Sequence, residues 1–223
     1  DDPEQTVSAV IPAYNAADTI ERALDSVRAQ TFESIIETIV VDDGSTDTTA
    51  QIIRESYPEV TLIQQENAGS PTARNVGVEA ASGEYIAFLD DDDQWFPDKT
   101  SVQMMCFREC SGLRMSVADS VRLEDKESQV YHREPEQVVL EPVTFSDIFP
   151  GVPFHYGCSG WVLERTLFEE CGGFALHMRR SQDTEWLWRV ALRGYAVGFI
   201  RGPLYGYYPG HQRRSREKWA GMW

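Results

Sequence analysis

The sequence predicts an α/β fold built on a mainly parallel central sheet with helices on both faces. Three observations carry that expectation. Short β-branched runs alternate with amphipathic stretches through the first half of the chain. Those runs lack the polar alternation of a half-solvated strand, as strands covered on both sides should. Two of them end abruptly in acids, at Asp42-Asp43 and at Asp90 to Asp93. Right-handed crossovers would bring both acid clusters to one edge of the sheet, where ligands bind in open α/β sheets.

Val7 to Ile11 is the first expected strand, stopped by Pro12 and Asn15. Asp18 to Arg28 follows as a helix, with Ile20, Ala23, Leu24 and Val27 in an i, i+3, i+4, i+7 stripe. Thr38 to Val41 is the second strand, and Thr46 or Asp47 caps a helix carrying Ile52 and Ile53. Val60 to Ile63, then Thr72 to Ala81, then Glu84 to Leu89 continue as strand, helix and strand. Cys106 and Cys110 fall on one face of a further helix; they could hold half a metal site, but no CxxC pair or nearby His completes it.

From about Ser111 to Phe154 the chain is charged and holds Pro135, Pro142, Pro150 and Pro153. It reads as a helix tail, an irregular excursion and one or two edge strands. Order returns with a strand at Ser159 to Leu163 and a turn at Gly172-Gly173-Phe174. A helix from Gln182 to Arg193 turns Trp186, Leu187, Val190 and Ala191 inward and stops at Gly194. Tyr195 to Ile200 is the last strand, and a basic island with His211, Arg213, Arg214, Arg216 and Lys218 follows.

The length of 223 residues suits one domain. Asp plus Glu number 36 against 20 Lys plus Arg, a net charge of −16, which excludes general adhesion to nucleic acid and argues against loose attachment to anionic membrane. No apolar run approaches the roughly 20 residues that span a bilayer. The acidic start, Asp1-Asp2-Pro3-Glu4, is not a signal peptide, and the absence of an initiator Met suits an excised catalytic piece. Four scattered cysteines read as reduced thiols of a cytosolic protein.

Four successive aspartates repel one another, by ~1 kcal/mol per close pair in water and several times that beside a low-dielectric wall. Taken alone, Asp90 to Asp93 would be a solvated turn. Delivered into a crevice, with Lys99 the cation closest in sequence, they call for a hard divalent ion, Mg²⁺ or Mn²⁺, completed by phosphates of a nucleoside diphosphate or a similar partner. Asp42 to Ser45 could be a turn and helix cap, or supply an acid to a base NH or ribose hydroxyl. Arg74 could meet phosphate or sit in a structural ion pair. Asp183 reads as a first-turn acid or, less simply, a catalytic base. Trp161, Trp186 and Trp188 either stack on a sugar or belong to the core.

In order along the chain, Val7 to Asn15, Gln30-Thr31-Phe32, Val41 to Asp47, Ala73 to Gly77, Gly83 to Trp95, Gly172-Gly173-Phe174, Gln182-Asp183 and Tyr207 to Arg216 resemble glycosyltransferase family 2. That resemblance covers nearly the whole chain. It implies the GT-A fold, a Rossmann-like nucleotide-diphospho-sugar transferase architecture, with a nucleotide-binding half over 1–105 and an acceptor-binding half over 106–223. It implies an inverting enzyme that moves a hexosyl or N-acetylhexosaminyl unit from a nucleotide-sugar, most often a UDP-sugar, to an acceptor hydroxyl on a glycan, lipid-linked carrier or protein. Polysaccharide biosynthesis is the expected setting, in the cytoplasm or at the inner face of the membrane.

By the same resemblance Pro12, Ala13, Tyr14 and Asn15 with Asp43, Asn67, Gly69, Arg74, Asp90 and Asp91 hold the nucleotide. Asp92 is the principal metal ligand, with Asp90 its partner and His211 reaching the metal or diphosphate, for Mn²⁺ or Mg²⁺. Asp183 is the general base. Gln182 stands where the family has Glu and, with Trp161 and Trp186, faces sugar or acceptor. A non-catalytic sugar-nucleotide-binding relative and a sugar-nucleotide pyrophosphorylase are the rival expectations. A GxGxxG turn after the first strand is absent, which sets dinucleotide enzymes aside.

Overall fold

The computed structural model describes residues 5–123, 139–143, 157–178 and 181–208, of which 139–143 are described by their backbone alone. The strands are β1 (Val7–Ala13), β2 (Ile35–Asp42), β3 (Thr61–Gln64), β4 (Tyr85–Phe88), β5 (Gln94–Trp95), β6 (Met115–Arg122), β7 (Val139–Val143), β8 (Trp161–Glu164) and β9 (Val197–Tyr207). The α-helices are α1 (Ile20–Arg28), α2 (Thr49–Ser56), α3 (Ser70–Ala80), α4 (Lys99–Glu109), α5 (Arg165–Cys171) and α6 (Gln182–Leu192).

The strands form one sheet in the order β3-β2-β1-β4-β8-β6-β9-β5, with β7 paired to β9. β1 to β4 are mutually parallel. β8 runs antiparallel to β4 and to β6, and β9 parallel to β6. The C-terminal ends of β1, β2 and β4 therefore share an edge with the N-terminal end of β8. The expected α/β fold is present.

Successive residues of β1 point to opposite faces. Val7, Ala9 and Ile11 join one core with Ile20 and Leu24 of α1 and Met104 of α4. Val10 joins the other, with Val41, Phe88, Trp161 and Trp186. Both faces are covered, which is why the strands show no polar alternation. On the second face α3 lies directly on β1: a Cβ added at Gly77 would collide with Val10 Cγ1. That close approach places Arg74, one turn earlier, at the sheet edge.

One expectation needs correction. The region after Ser111 is not only excursion and edge, because β6 lies inside the sheet between β8 and β9. Its buried run, Met115-Ser116-Val117-Ala118, is short and contains a serine. The Ser116 hydroxyl accepts from Gln103 Nε2 at 3.0 Å, so the polar residue is satisfied within the core. Among the described residues no helix is long and apolar enough to cross a membrane.

Candidate active site

The ends of β1 and β2 are sewn together before any ligand is considered. Asn15 has a positive φ of 49°, and its Oδ1 accepts from Thr46 N at 2.8 Å while its own N–H donates to Ser45 Oγ at 2.8 Å. Asn15 is thus a joint between two loops. Asp43 is buried, and its carboxylate accepts from Gln65 Nε2 (2.6 Å), Ala68 N (2.9 Å) and Gly69 N (2.8 Å). Gly69 takes φ 96°, a conformation costly for residues with a Cβ, and so turns its N–H toward Asp43. Inside the loop that Asp43 gathers, both amide atoms of the Asn67 side chain are buried without a hydrogen-bond partner among the described residues.

Asp90 to Asp93 form a turn closed by Asp93 N–H to Asp90 O at 3.1 Å. Each of the four is held by a different segment. Asp90 pairs with Arg74 Nη2 of α3 at 2.5 Å. Asp91 Oδ2 accepts from Tyr14 N at 3.0 Å, tying the turn to the end of β1 beside Pro12 and Ala13. The Asp92 carbonyl accepts from Arg22 Nη2 of α1 at 2.8 Å. Asp93 Oδ2 accepts from the Ser159 hydroxyl at 2.5 Å, and the same oxygen of Ser159 accepts Asp90 N–H at 3.1 Å. Burial, reinforced by the charges of Asp92 and Asp90, pushes the Asp93 carboxyl well above its ordinary range.

Two cations therefore reach the acids from distant sequence, Arg22 and Arg74. Lys99, closest in sequence, is not a counter-charge: its Nζ lies 3.4 Å from Trp161 O and 4.0 Å from the Trp95 ring centroid, fully buried.

Arg74 is the hub. Burial works against its charge, but Asp90, with Cys158 and Asp183, more than offsets that and keeps the guanidinium firmly protonated. Cys158 is buried in the same place. Burial raises its thiol well above the ordinary range, Arg74 pulls it back, and Asp183 and Asp90 push it up again. Asp183 sits half-buried in the first turn of α6, its Oδ1 accepting from Thr184 N at 2.7 Å. Two of the sequence's candidates, Asp90 from the fourth strand and Asp183 from a helix some ninety residues later, thus act on one arginine.

The segment leading to α6 is clamped as well. Asn75, beside Arg74, donates to Phe174 O at 3.0 Å and accepts Phe174 N–H at 2.8 Å. Trp186 Nε1 donates to Gly172 O at 2.7 Å, and Arg189 Nη2 to Gly173 O at 3.0 Å.

The tryptophan expectation is corrected. Trp161 and Trp186 are fully buried, with ring centroids 5.6 Å apart, inside a cluster completed by Phe88, Phe168 and Phe174. Neither offers a face to a sugar; Trp188 of α6 is the exposed one. Gln182 opens α6 half-buried. His211, Arg213 and Arg214 lie outside the described residues. Ser159, Cys158 and Arg22 were missed by sequence reasoning. The one signal was the position of Cys158-Ser159 directly before a strand.

Among the described residues no three His, Cys, Asp or Glu side chains converge to hold a metal by themselves. Asp90 and Asp92 offer hard carboxylate oxygens, and Mg²⁺-type sites commonly use one or two carboxylates, completed by phosphate and water. The donor chemistry fits a divalent cation of that kind.

The family profile described as Glycosyl transferase family 2 matches residues 8–172. An uncharacterised glycosyltransferase of Rickettsia typhi is 31% identical over 195 residues, covering 86% of this chain and 60% of that protein. The putative teichuronic acid biosynthesis glycosyltransferase TuaG of Bacillus subtilis is 41% identical over 112 residues, 47% of this chain and 44% of TuaG. The crystal structure of S. aureus TarS 1-349 in complex with UDP superposes with a TM-score of 0.70 at 21% identity, over 91% of this chain and 60% of that one. This chain spans less than two thirds of each of these relatives. The structural likeness shows the same GT-A fold.

Proposed function

The chain belongs to glycosyltransferase family 2, and from that premise we propose that it moves a sugar from a UDP-sugar to an acceptor hydroxyl with inversion at the anomeric carbon. The observation that carries the reading is the buried Arg74, which pairs with Asp90 at 2.5 Å and also feels the charge of Asp183. It relates the carboxylate that opens α6 to the acids that follow β4. TarS 1-349, with the same fold, was crystallised with UDP and with UDP-GlcNAc.

In this reading the uridine lies along Pro12 to Tyr14, above the loop that Asp43 gathers. The unpartnered Asn67 amide supplies a donor and an acceptor to it. Asp43 positions rather than reads, since three of its about four lone-pair directions are already used. Asp183 takes the proton of the acceptor hydroxyl as its oxygen bonds to the anomeric carbon and the bond to the diphosphate breaks. A single displacement from the face opposite the leaving group inverts the configuration. Arg74 keeps Asp90 in place. A divalent cation, Mn²⁺ or Mg²⁺, held by Asp92 and Asp90 would neutralise charge on the departing diphosphate. The acceptor belongs to the surface-polymer class, in line with the name of the Bacillus relative.

Nucleotide release from a panel of UDP- and GDP-sugars, with Mn²⁺ and with EDTA, tests the proposal. UDP appearing only with metal and acceptor supports it. Binding without turnover on any acceptor would favour a non-catalytic relative. Release of a nucleoside triphosphate on adding pyrophosphate would make the protein a pyrophosphorylase.

A further inference from the structure

Asp90, Asp91 and Asp93 are supported by groups that the sheet edge supplies, but Asp92 is supported from outside it. Its carbonyl takes a charged hydrogen bond from Arg22 Nη2 at 2.8 Å. Arg22 lies on α1 off the Ile20-Ala23-Leu24-Val27 stripe and is half-buried. Its guanidinium carbon stands 3.8 Å from the centroid of the Tyr208 ring. Tyr208, just past β9, is itself buried with Phe96 and Leu123, and its hydroxyl donates to Gln94 Oε1 at 3.0 Å. The Arg22 Nε is buried without a partner among the described residues. Two contacts therefore define this guanidinium, one at its edge and one at its face.

We infer that Arg22 is a positioning residue that couples the Asp92 main chain to the end of β9 through Tyr208. The peptide following Asp92 carries that carbonyl, so fixing the carbonyl fixes ψ of Asp92 and with it the aim of the Asp92 side chain. A planar guanidinium can lie flat on a phenol ring and still donate from its rim; an ammonium does one or the other. The ring sets the plane, the plane sets the donor, and the donor sets the turn. Placement of the chain at Tyr208 and geometry of the acid turn become one equilibrium. The consequence for metal and nucleotide rests on the function proposed above; the mechanical coupling does not.

The experiment uses the full chain and two readouts. The first is hydrogen exchange at the Asp93 amide, whose bond to Asp90 O closes the turn. Arg22→Ala and Tyr208→Leu should each speed it about tenfold, the worth of one charged hydrogen bond. The double variant should be no faster than either, because both remove one linkage. Tyr208→Phe, which keeps the ring but loses the hydroxyl that donates to Gln94, should exchange as wild type does, and Arg22→Lys should not restore protection. The second readout is calorimetric titration with UDP. In both single variants Kd should rise about tenfold with Mn²⁺ present and stay unchanged without it, a split that general destabilisation would not produce. Additive effects on exchange, or an Asp93 amide indifferent to Tyr208→Leu, would overturn the inference. Wild-type protein that takes up no UDP with Mn²⁺ overturns the proposed function instead, while the exchange data still decide the coupling.

Discussion

The Arg74 guanidinium and the Asp90 carboxylate meet at 2.5 Å, with the arginine side chain 7% exposed and the aspartate 33%. The pair is lopsided. Asp90 can turn to water or to a ligand cation, whereas Arg74 cannot, so the acid is the exchangeable partner and the arginine the fixed one.

Stability should show that asymmetry. Removing one member of a buried pair is expensive when it strands the buried member. Asp90→Asn leaves the buried guanidinium without its paired carboxylate and should cost about 3 kcal/mol in urea unfolding. Arg74→Met leaves a carboxylate that can hydrate and should cost about 1 kcal/mol. The opposite ranking would mean that Arg74 is neutralised mainly by another group.

The Asp183 assignment separates binding from chemistry. Asp183→Asn keeps the side chain's shape but cannot accept the acceptor's proton at useful rates. Sugar transfer should fall at least about a hundredfold, within the range for loss of a general base. UDP affinity and thermal unfolding should stay near wild type, since among the described residues the Asp183 side chain hydrogen-bonds only to neighbouring Thr184. Near-normal transfer would remove Asp183 from the mechanism.

Much of this site was legible because parallel topology puts strand ends together. Once β1, β2 and β4 are read as parallel, the acids after Val41 and Leu89 must share an edge. What escaped was partner choice across long sequence distances. Nothing local marks Arg22 or Ser159, whose partners lie 70 and 66 residues away. Trp161 and Trp186 misled because a tryptophan beside a motif looks the same whether it packs on Phe174 or on a sugar. β6 hid because Ser116 interrupts its apolar run, and only Gln103 of α4 explains how that serine is buried.

The Asn75 clamp predicts a stability cost with a directional signature. Asn75→Ala strands Phe174 N–H and C=O together and should cost about 2 kcal/mol. Asn75→Asp keeps the acceptor for Phe174 N–H but sets a carboxylate oxygen against Phe174 O, where the amide donated. It should therefore be no better than alanine at neutral pH and should recover part of the loss when protonated in acid. Urea unfolding of both variants at two pH values checks this. An aspartate variant as stable as wild type at neutral pH would show that the Nδ2 donation contributes nothing.

Lys99 gives the clearest pH dependence. It is fully buried, and burial is what pulls its ammonium well below the ordinary lysine value of 10.5. Between the folded and unfolded pKa values the unfolded chain binds the extra proton, so stability rises with pH across that window. Above 10.5 the amine is neutral in both states and the penalty vanishes; it grows as pH falls and levels off below the folded value. Lys99→Met removes the titration and fills similar space against Trp95. It should be more stable than wild type by about 1–3 kcal/mol near neutrality, as when buried charge gives way to hydrophobe. The advantage should shrink in urea unfolding as pH rises toward the ordinary lysine value of 10.5. A gain that did not vary with pH would mean that the Lys99 proton never leaves, and that the Trp95 face and Trp161 carbonyl solvate the ammonium well enough to match water.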